Sequence, residues 1–338
     1  MPLPGPLAVL PDPRPLAGSV VDLARQAASQ EVARLLIGDR EPIREPTAPR
    51  ADEGLFGPDS VTWYVHQDFC LLVGGLRALL LQTLHPLAMA GVADHSRYRE
   101  DPLGRLSNTS RYVGTVIFGT TDEARDAVAG VKHIHERVTG TAPDGRPYTA
   151  NDPHLLTFVH HTLVDSFLAA YRRYGSGELT DGQADRYVAE WAAVAELFGA
   201  EPAARSTAEL GAWFADERRE LRAEGQARDA VRFLLNPPLP LHTRPAYGLL
   251  AAAAVGLLPG WARRELRLPL PPLVDPLAVR PATWAMFRTL DWVMAAYPDP
   301  EPDPDPEPDP DPDPHLGVPV MDSSAGARSS MTETGMGR

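Results

Sequence analysis

The chain has 338 residues, 43% of them hydrophobic, a single cysteine (Cys70) and a formal net charge of −13. One cysteine excludes an internal disulfide framework and any CxxC-based zinc or iron–sulfur site, and we expect a reducing, cytoplasmic setting. The acidic residues are concentrated at the end of the chain. Residues 299–338 hold ten acids against Arg328 and Arg338, so residues 1–298 carry about −5 and show no basic footprint for nucleic acid.

The helical period dominates the pattern, and alanine, leucine and arginine are abundant, which predicts an all-α fold. Capping residues mark several helix starts: Ser60, Thr120 with Glu123, Asp152 before Pro153, Thr180 with Gln183, and Ser206 with Glu209. From these we predict helices over 19–37, from Ser60 through Leu84 with a kink or end at Pro86, over 105–120, 122–138, 154–174, 182–198, 207–223, 226–235, 244–257 and 281–296. Residues 139–150 are interpreted as a turn-rich loop around Asp144-Gly145.

The predicted organisation is a flexible N-terminus over 1–18, one helical domain over 19–298 and a disordered tail over 299–338. In the tail, acids alternate with prolines, which remove backbone donors, while like charges repel each other. Two apolar segments, 69–93 and 245–262, are interrupted by charged residues, prolines or glycine, so we predict buried helices and no integral membrane span. Surface association remains an alternative for them.

Four common nucleotide-binding and catalytic motifs are absent. The sequence has no GxxxxGKS loop, no GxGxxG turn, no HExxH and no GxSxG. No histidine has glutamate three residues before it, which excludes the ligand pattern of di-iron carboxylate bundles.

The stretch VKHIHERVTG places His133 and His135 two residues apart. On a helix such residues point about 200° apart, so they cannot bind one metal ion together. His135 continues an apolar stripe with Ala124, Val128, Val131 and Val138, which predicts that it faces inward, whereas His133 falls on the polar face. An inward histidine can be a core residue or a ligand, and the spacing does not decide between them.

For His160, and for the pair Arg105 and Thr109, the spacing likewise does not decide between a structural and a functional role. His160 lies on a second inward stripe with Leu156, Leu163 and Phe167. Arg105 and Thr109 are four residues apart and share a helix face, where they could orient an oxygen-bearing ligand; alternatively, Arg105 pairs with a carboxylate of the DHSRYRED corner. His85 and His95 are interpreted as helix-end residues.

The segments DHSRYREDPLGRLSNT, FGT, HERVTG, DGRPYTANDP and VHHTLVDSF together resemble the mpaB-type oxygenase family, which is related to the latex-clearing rubber oxygenases. The resemblance covers about residues 55–260. It implies an all-helical fold with a buried haem b pocket and an oxygenase or oxidase that acts on an apolar, isoprenoid-like or other small substrate with O2. The alternative is a non-catalytic helical haem- or lipid-binding protein.

Position by position, the resemblance implies that His135 is the proximal haem-iron ligand and that His160 is a pocket residue. Arg105 and Thr109 correspond to the family's distal arginine and threonine. The rubber oxygenases carry a lysine just before that threonine, where this chain has Asn108, so we expect no protein ligand at the sixth iron position. No residue matches their catalytic acidic base with certainty, which leaves a rubber-like substrate in question.

Overall fold

The computed structural model describes residues 25–26, 52–96, 98–100, 102–271 and 273–295, with side chains excepted over 102–107. The predicted tail over 299–338, and all but two residues of the predicted helix over 19–37, lie outside these ranges. The boundaries of the predicted domain are therefore untested.

The all-α prediction is confirmed for the described residues. The helices are α1 (Val61–His66), α2 (Leu71–Gln82), α3 (Pro86–His95), α4 (Pro102–Phe118), α5 (Thr121–His135), α6 (Pro153–Tyr174), α7 (Asp181–Phe198), α8 (Thr207–Glu217), α9 (Gly225–Leu235), α10 (Arg244–Leu257), α11 (Gly260–Glu265) and α12 (Arg280–Met294), with a π-helical turn at Asp275–Val279 before α12. The five predicted capping residues, Ser60, Thr120, Asp152, Thr180 and Ser206, each accept from a backbone amide in the first turn of their helix. Thr120 and Thr180 form full capping boxes, whereas Ser206 accepts from the Glu209 amide without the reciprocal bond.

The predicted helix from Ser60 through Leu84 is wrong in one respect, because it is broken at residues 67–70. Asp68 causes the break: one carboxylate oxygen accepts from the Cys70 amide at 2.8 Å and the other from the Ser176 amide at 2.6 Å. A side chain that bonds nearby backbone amides favours a cap over a continuous helix. Pro86 then begins α3, and the axes of α2 and α3 meet at 104°.

The segment after α5 is a short hairpin rather than a loop alone. Strands β1 (Thr139–Thr141) and β2 (Pro147–Thr149) pair antiparallel around Gly145, whose φ is +87°. The Ala150 amide bonds to the Val138 carbonyl at 2.9 Å. Because Val138 belongs to this hairpin connection, α5 ends at His135, three residues earlier than predicted.

The centre of the fold is α2, which packs mainly on α6 and α10. Gly74 permits this approach, since a Cβ there would lie 2.9 Å from a ring carbon of Phe167 and 3.1 Å from its Cα. On the same helix Arg77 is only 4% exposed, and each of its three guanidinium nitrogens has a partner. It bonds to Asp165 at 2.7 Å, to the Ser166 hydroxyl at 2.7 Å and to the Leu257 carbonyl at 3.1 Å.

The two apolar segments both fold into helices with buried faces, as predicted. Among the described residues, no single helix is long and apolar enough to cross a membrane; α2 and α3 reach that measure only when counted together across their bend.

Candidate functional site

The end of α5 separates the two neighbouring histidines as predicted. His133 is exposed, and its Nδ1 pairs with the Glu136 carboxylate at 3.0 Å. His135 is half-buried on the stripe that begins with the fully buried Ala124 and Val128. The placement of both side chains is therefore confirmed, while the role of His135 as a ligand stays a prediction.

Around His135, three buried polar atoms lack hydrogen bonds of ordinary geometry within the described part of the chain. They are Nδ1 of His135, Oδ1 of Asn151 and the hydroxyl of Tyr112. The ring of Phe198 lies between two of these residues, with its centroid 6.5 Å from that of His135 and 6.1 Å from that of Tyr112. We call His135, Asn151, Tyr112 and Phe198 the His135 cluster.

The electrostatics of the His135 cluster favour neutral groups. Burial lowers the pKa of His135, although the nearby Asn151 side chain raises it in part. Burial also raises the pKa of Tyr112. A buried polar atom without a partner is a place where water, an ion or a ligand can bind, and the described residues contain further such atoms outside this cluster.

His160 lies in the interface between α6 and α7, with its ring centroid 6.0 Å from that of Trp191. Burial lowers its pKa to about 3, so its imidazole is neutral at ordinary pH. Trp191 and Phe198 are seven residues apart and therefore lie on one face of α7, roughly 10 Å apart along its axis. The structure thus places the two predicted histidines, His135 and His160, along the same face of α7.

Arg105 and Thr109 lie one turn apart on α4, which packs along α5. The side chain of Arg105 is outside the described set. Thr109 is exposed, as are the two residues that follow it. The pair thus keeps the shared helix face that its spacing predicts, and its role remains untested.

A shallow groove of about 280 Å³ lies beside α5, along the flank that carries His133. It is lined by Arg125, Val128, Ala129, Lys132, His133, Glu136 and Leu197. His135 is not part of the lining, and the volume is below the roughly 300–1,000 Å³ of ordinary ligand pockets. The groove therefore does not account for the unpaired atoms of the His135 cluster.

A second group of side chains was missed by sequence reasoning. His85, before α3, His154, in the first turn of α6, and Glu217, the last residue of α8, bring three potential metal-ligand atoms within 4.8 Å of one another. The Glu201 carboxylate lies 3.2 Å from Nδ1 of His154. We call these four residues the His85 cluster. His85 does cap α3 as predicted, but no local pattern connects it to a glutamate more than 130 residues away.

The chain matches the model of a known protein family. The model described as "ER-bound oxygenase mpaB/B'/Rubber oxygenase, catalytic domain" matches residues 63–303, more than two thirds of the chain. No curated protein matches. No solved structure matches either.

Proposed function

This chain belongs to the mpaB and rubber oxygenase catalytic-domain family, and on that premise we propose that it is a haem b-dependent oxygenase or oxidase that acts on an apolar small molecule with O2. The family supports oxygenase activity, and hence an oxidoreductase. The haem, the substrate class and the residue roles are the proposal.

The observation that carries the proposal is the state of His135. An axial haem ligand must offer a neutral imidazole, one nitrogen for the iron and the other held by an oxygen acceptor. Burial lowers the pKa of His135, and the unpaired Oδ1 of Asn151 is the acceptor available to its buried, unpaired Nδ1. A proton fixed on Nδ1 in this way leaves Nε2 as the ligand atom. The donor chemistry of the His135 cluster therefore fits the cofactor.

When bound, haem supplies the oxygen and redox chemistry, and the protein supplies the axial ligand, the orientation and the exclusion of water. In the proposal, His135 holds the iron and His160 forms part of the pocket wall as a neutral ring. Arg105 would provide a permanent positive charge beside the oxygen, and Thr109 would offer it a hydrogen-bond donor. Asn108 is a poor ligand for haem iron and would not compete with oxygen for the metal.

Absorption spectroscopy of the purified full-length protein tests the proposal. We expect a b-type Soret band at about 400–415 nm, either as purified or after addition of hemin. His135→Ala should lose this band, whereas His133→Ala should keep it, because His133 is exposed and paired with Glu136. A wild-type protein that shows no Soret band as purified, and gains none after addition of hemin, would contradict the proposal. Retention of haem by His135→Ala and its loss by His133→Ala would contradict the ligand assignment.

Oxygen consumption with apolar alkenes then tests catalysis. We expect Arg105→Ala and Thr109→Ala to keep the Soret band and to lose most of the turnover, since both are proposed to act on oxygen rather than to hold haem. A haem-loaded wild-type protein that consumes no oxygen with any apolar substrate would instead indicate the non-catalytic haem-binding alternative.

A further inference from the structure

We infer that His85, His154 and Glu217 form a binding site for one divalent metal ion of the zinc class, separate from the proposed haem ligand. The three ligands come from three elements that are distant in sequence, and His85 and Glu217 are almost fully buried. Their potential ligand atoms all lie within 4.8 Å of one another.

The spacing of the ligand atoms is already close to that of a metal site. Nε2 of His85 lies 3.5 Å from Oε1 of Glu217, and Nε2 of His154 lies 3.1 Å from Oε2 of the same carboxylate. Zinc binds histidine and carboxylate atoms at about 2.0–2.2 Å in a tetrahedron, so neighbouring ligand atoms are about 3.4 Å apart. The two contacts are made by different oxygens of Glu217, and the three ligand atoms lie within 4.8 Å of one another, so an ion would bind here after side-chain shifts of about 1 Å.

Glu201 provides the outer contact that metal-binding histidines usually have. Its carboxylate lies 3.2 Å from Nδ1 of His154, on the side of the ring opposite to the Nε2 that faces Glu217. A carboxylate that accepts the Nδ1 proton fixes the tautomer in which Nε2 is the free donor to a metal. His154 is 40% exposed, which leaves a route from solvent for the ion and for a water as fourth ligand.

The charge of the group also suits a dication. Oε1 of Glu217 is buried and makes no hydrogen bond of ordinary geometry to the described residues. The ion pairs that the structure gives this carboxylate are to the two histidines. With neutral imidazoles, the carboxylates of Glu217 and Glu201 would balance a charge of +2. Two imidazoles and a carboxylate favour zinc and similar transition metals over Mg²⁺ and Ca²⁺, which prefer oxygen.

One contact opposes metal binding. Nδ1 of His85 accepts from the Ala88 amide at 3.5 Å, which places the proton of the neutral ring on Nε2. Binding a metal through Nε2 would move that proton to Nδ1 and break this contact. Because 3.5 Å is long for a hydrogen bond, the loss is small compared with a metal–nitrogen bond. Without an ion, the same residues form a hydrogen-bonded His–Glu–His network, and experiment distinguishes the two.

The test uses the full-length protein after dialysis against a chelator. We expect calorimetric titration with Zn²⁺ to show one saturable site per chain and Zn²⁺ to raise the unfolding temperature, while Mg²⁺ does neither. Absence of a one-equivalent site, or equal effects of Mg²⁺ and Zn²⁺, would overturn the inference and leave the hydrogen-bonded network as the correct description.

Matched variants locate the site. His154→Asn should weaken Zn²⁺ binding by more than about tenfold, and Glu201→Gln by roughly 10–100-fold through loss of the outer contact. The control is His133→Asn, since His133 also pairs through Nδ1 with a glutamate but has no other ligand nearby in the described residues. Wild-type affinity in a folded His154→Asn protein would refute the site. His135→Ala should leave Zn²⁺ binding unchanged, so this inference and the proposed haem function can fail independently.

Discussion

The His135 cluster and the His85 cluster are both built from histidines at helix ends, but they differ in how their polar atoms are satisfied. In the His85 cluster the histidines and carboxylates face one another at 3.1–3.5 Å, although Oε1 of Glu217 makes no hydrogen bond of ordinary geometry to the described residues. In the His135 cluster the buried polar atoms of three residues are left without ordinary hydrogen bonds to the described residues. The first arrangement should contribute to stability in the absence of any ligand. The second costs free energy until a ligand or water binds, which is typical of a functional site.

Removing the shared carboxylate of the His85 cluster should have the largest effect on stability. We expect Glu217→Ala to lower the free energy of unfolding of the haem-free protein by about 2–3 kcal/mol, because two imidazoles lose their buried partner. Chemical denaturation of the chelator-treated protein measures this. Glu220→Ala is the control, since Glu220 is about half exposed, and a change as large as that of Glu217→Ala would contradict the comparison.

Acid should destabilise the fold through a histidine that burial keeps neutral, and His66 is one such residue. Burial lowers the pKa of His66 to about 3, against about 6.5 in an unfolded chain. Between these values the unfolded state binds a proton that the folded state excludes, so stability falls as pH decreases from 6.5 towards 3. The pH dependence of the unfolding free energy should therefore be weaker in His66→Phe than in wild type, by up to about 1.4 kcal/mol per pH unit. Equal slopes would show that His66 binds a proton as readily in the folded protein as in the unfolded chain.

The caps should act locally. Thr120→Ala removes the capping box of α5, the helix that ends in His135, and we expect a loss of about 1 kcal/mol. Amide hydrogen exchange should become faster in α5 and stay unchanged in α8. Ser206→Ala is the matched variant: it should make amide exchange faster in α8 and leave exchange in α5 unchanged. An equal change of the exchange rates in both helices, in either variant, would contradict a local effect of the caps.

The smallest effect on the free energy of unfolding is expected at His135, the residue that is proposed to bind the iron. In the haem-free protein, His135→Ala should change the free energy of unfolding by less than about 1 kcal/mol, because Nδ1 makes no ordinary hydrogen bond that could be lost. The same substitution is expected to abolish haem binding. A loss comparable to that of Glu217→Ala would indicate that His135 is a structural residue.

Local chemistry explains what could be predicted from sequence. Thr120 with Glu123, Asp152 with Pro153, and Thr180 with Gln183 each fix a helix start through contacts within three residues. The 200° separation of His133 and His135 is likewise a local property. The break at Asp68 was missed because one of its two bonds goes to Ser176, more than 100 residues away.

The same limit applies to the sites. The stripe that ends in His135 is periodic and can be recognised, whereas the His85 cluster is made by three helices meeting and has no periodic signal. The hairpin after α5 was missed because its strands have only three residues each, too short for an alternating pattern. The hairpin determines where α5 ends, because the chain leaves the helix after His135 to enter the first strand.

Arg77 has a consequence for the order in which the chain can fold. Its guanidinium bonds to Asp165 and Ser166 on α6 and to the Leu257 carbonyl at the end of α10, so its partners lie 88 to 180 residues further along. Contacts of such long sequence separation slow folding, because large loops must close before they form. During synthesis Arg77 can pair with Asp165 and Ser166 once α6 has formed, but its bond to the Leu257 carbonyl cannot form until the end of α10 has been synthesised. The interior of this protein therefore cannot be completed from its N-terminal half alone.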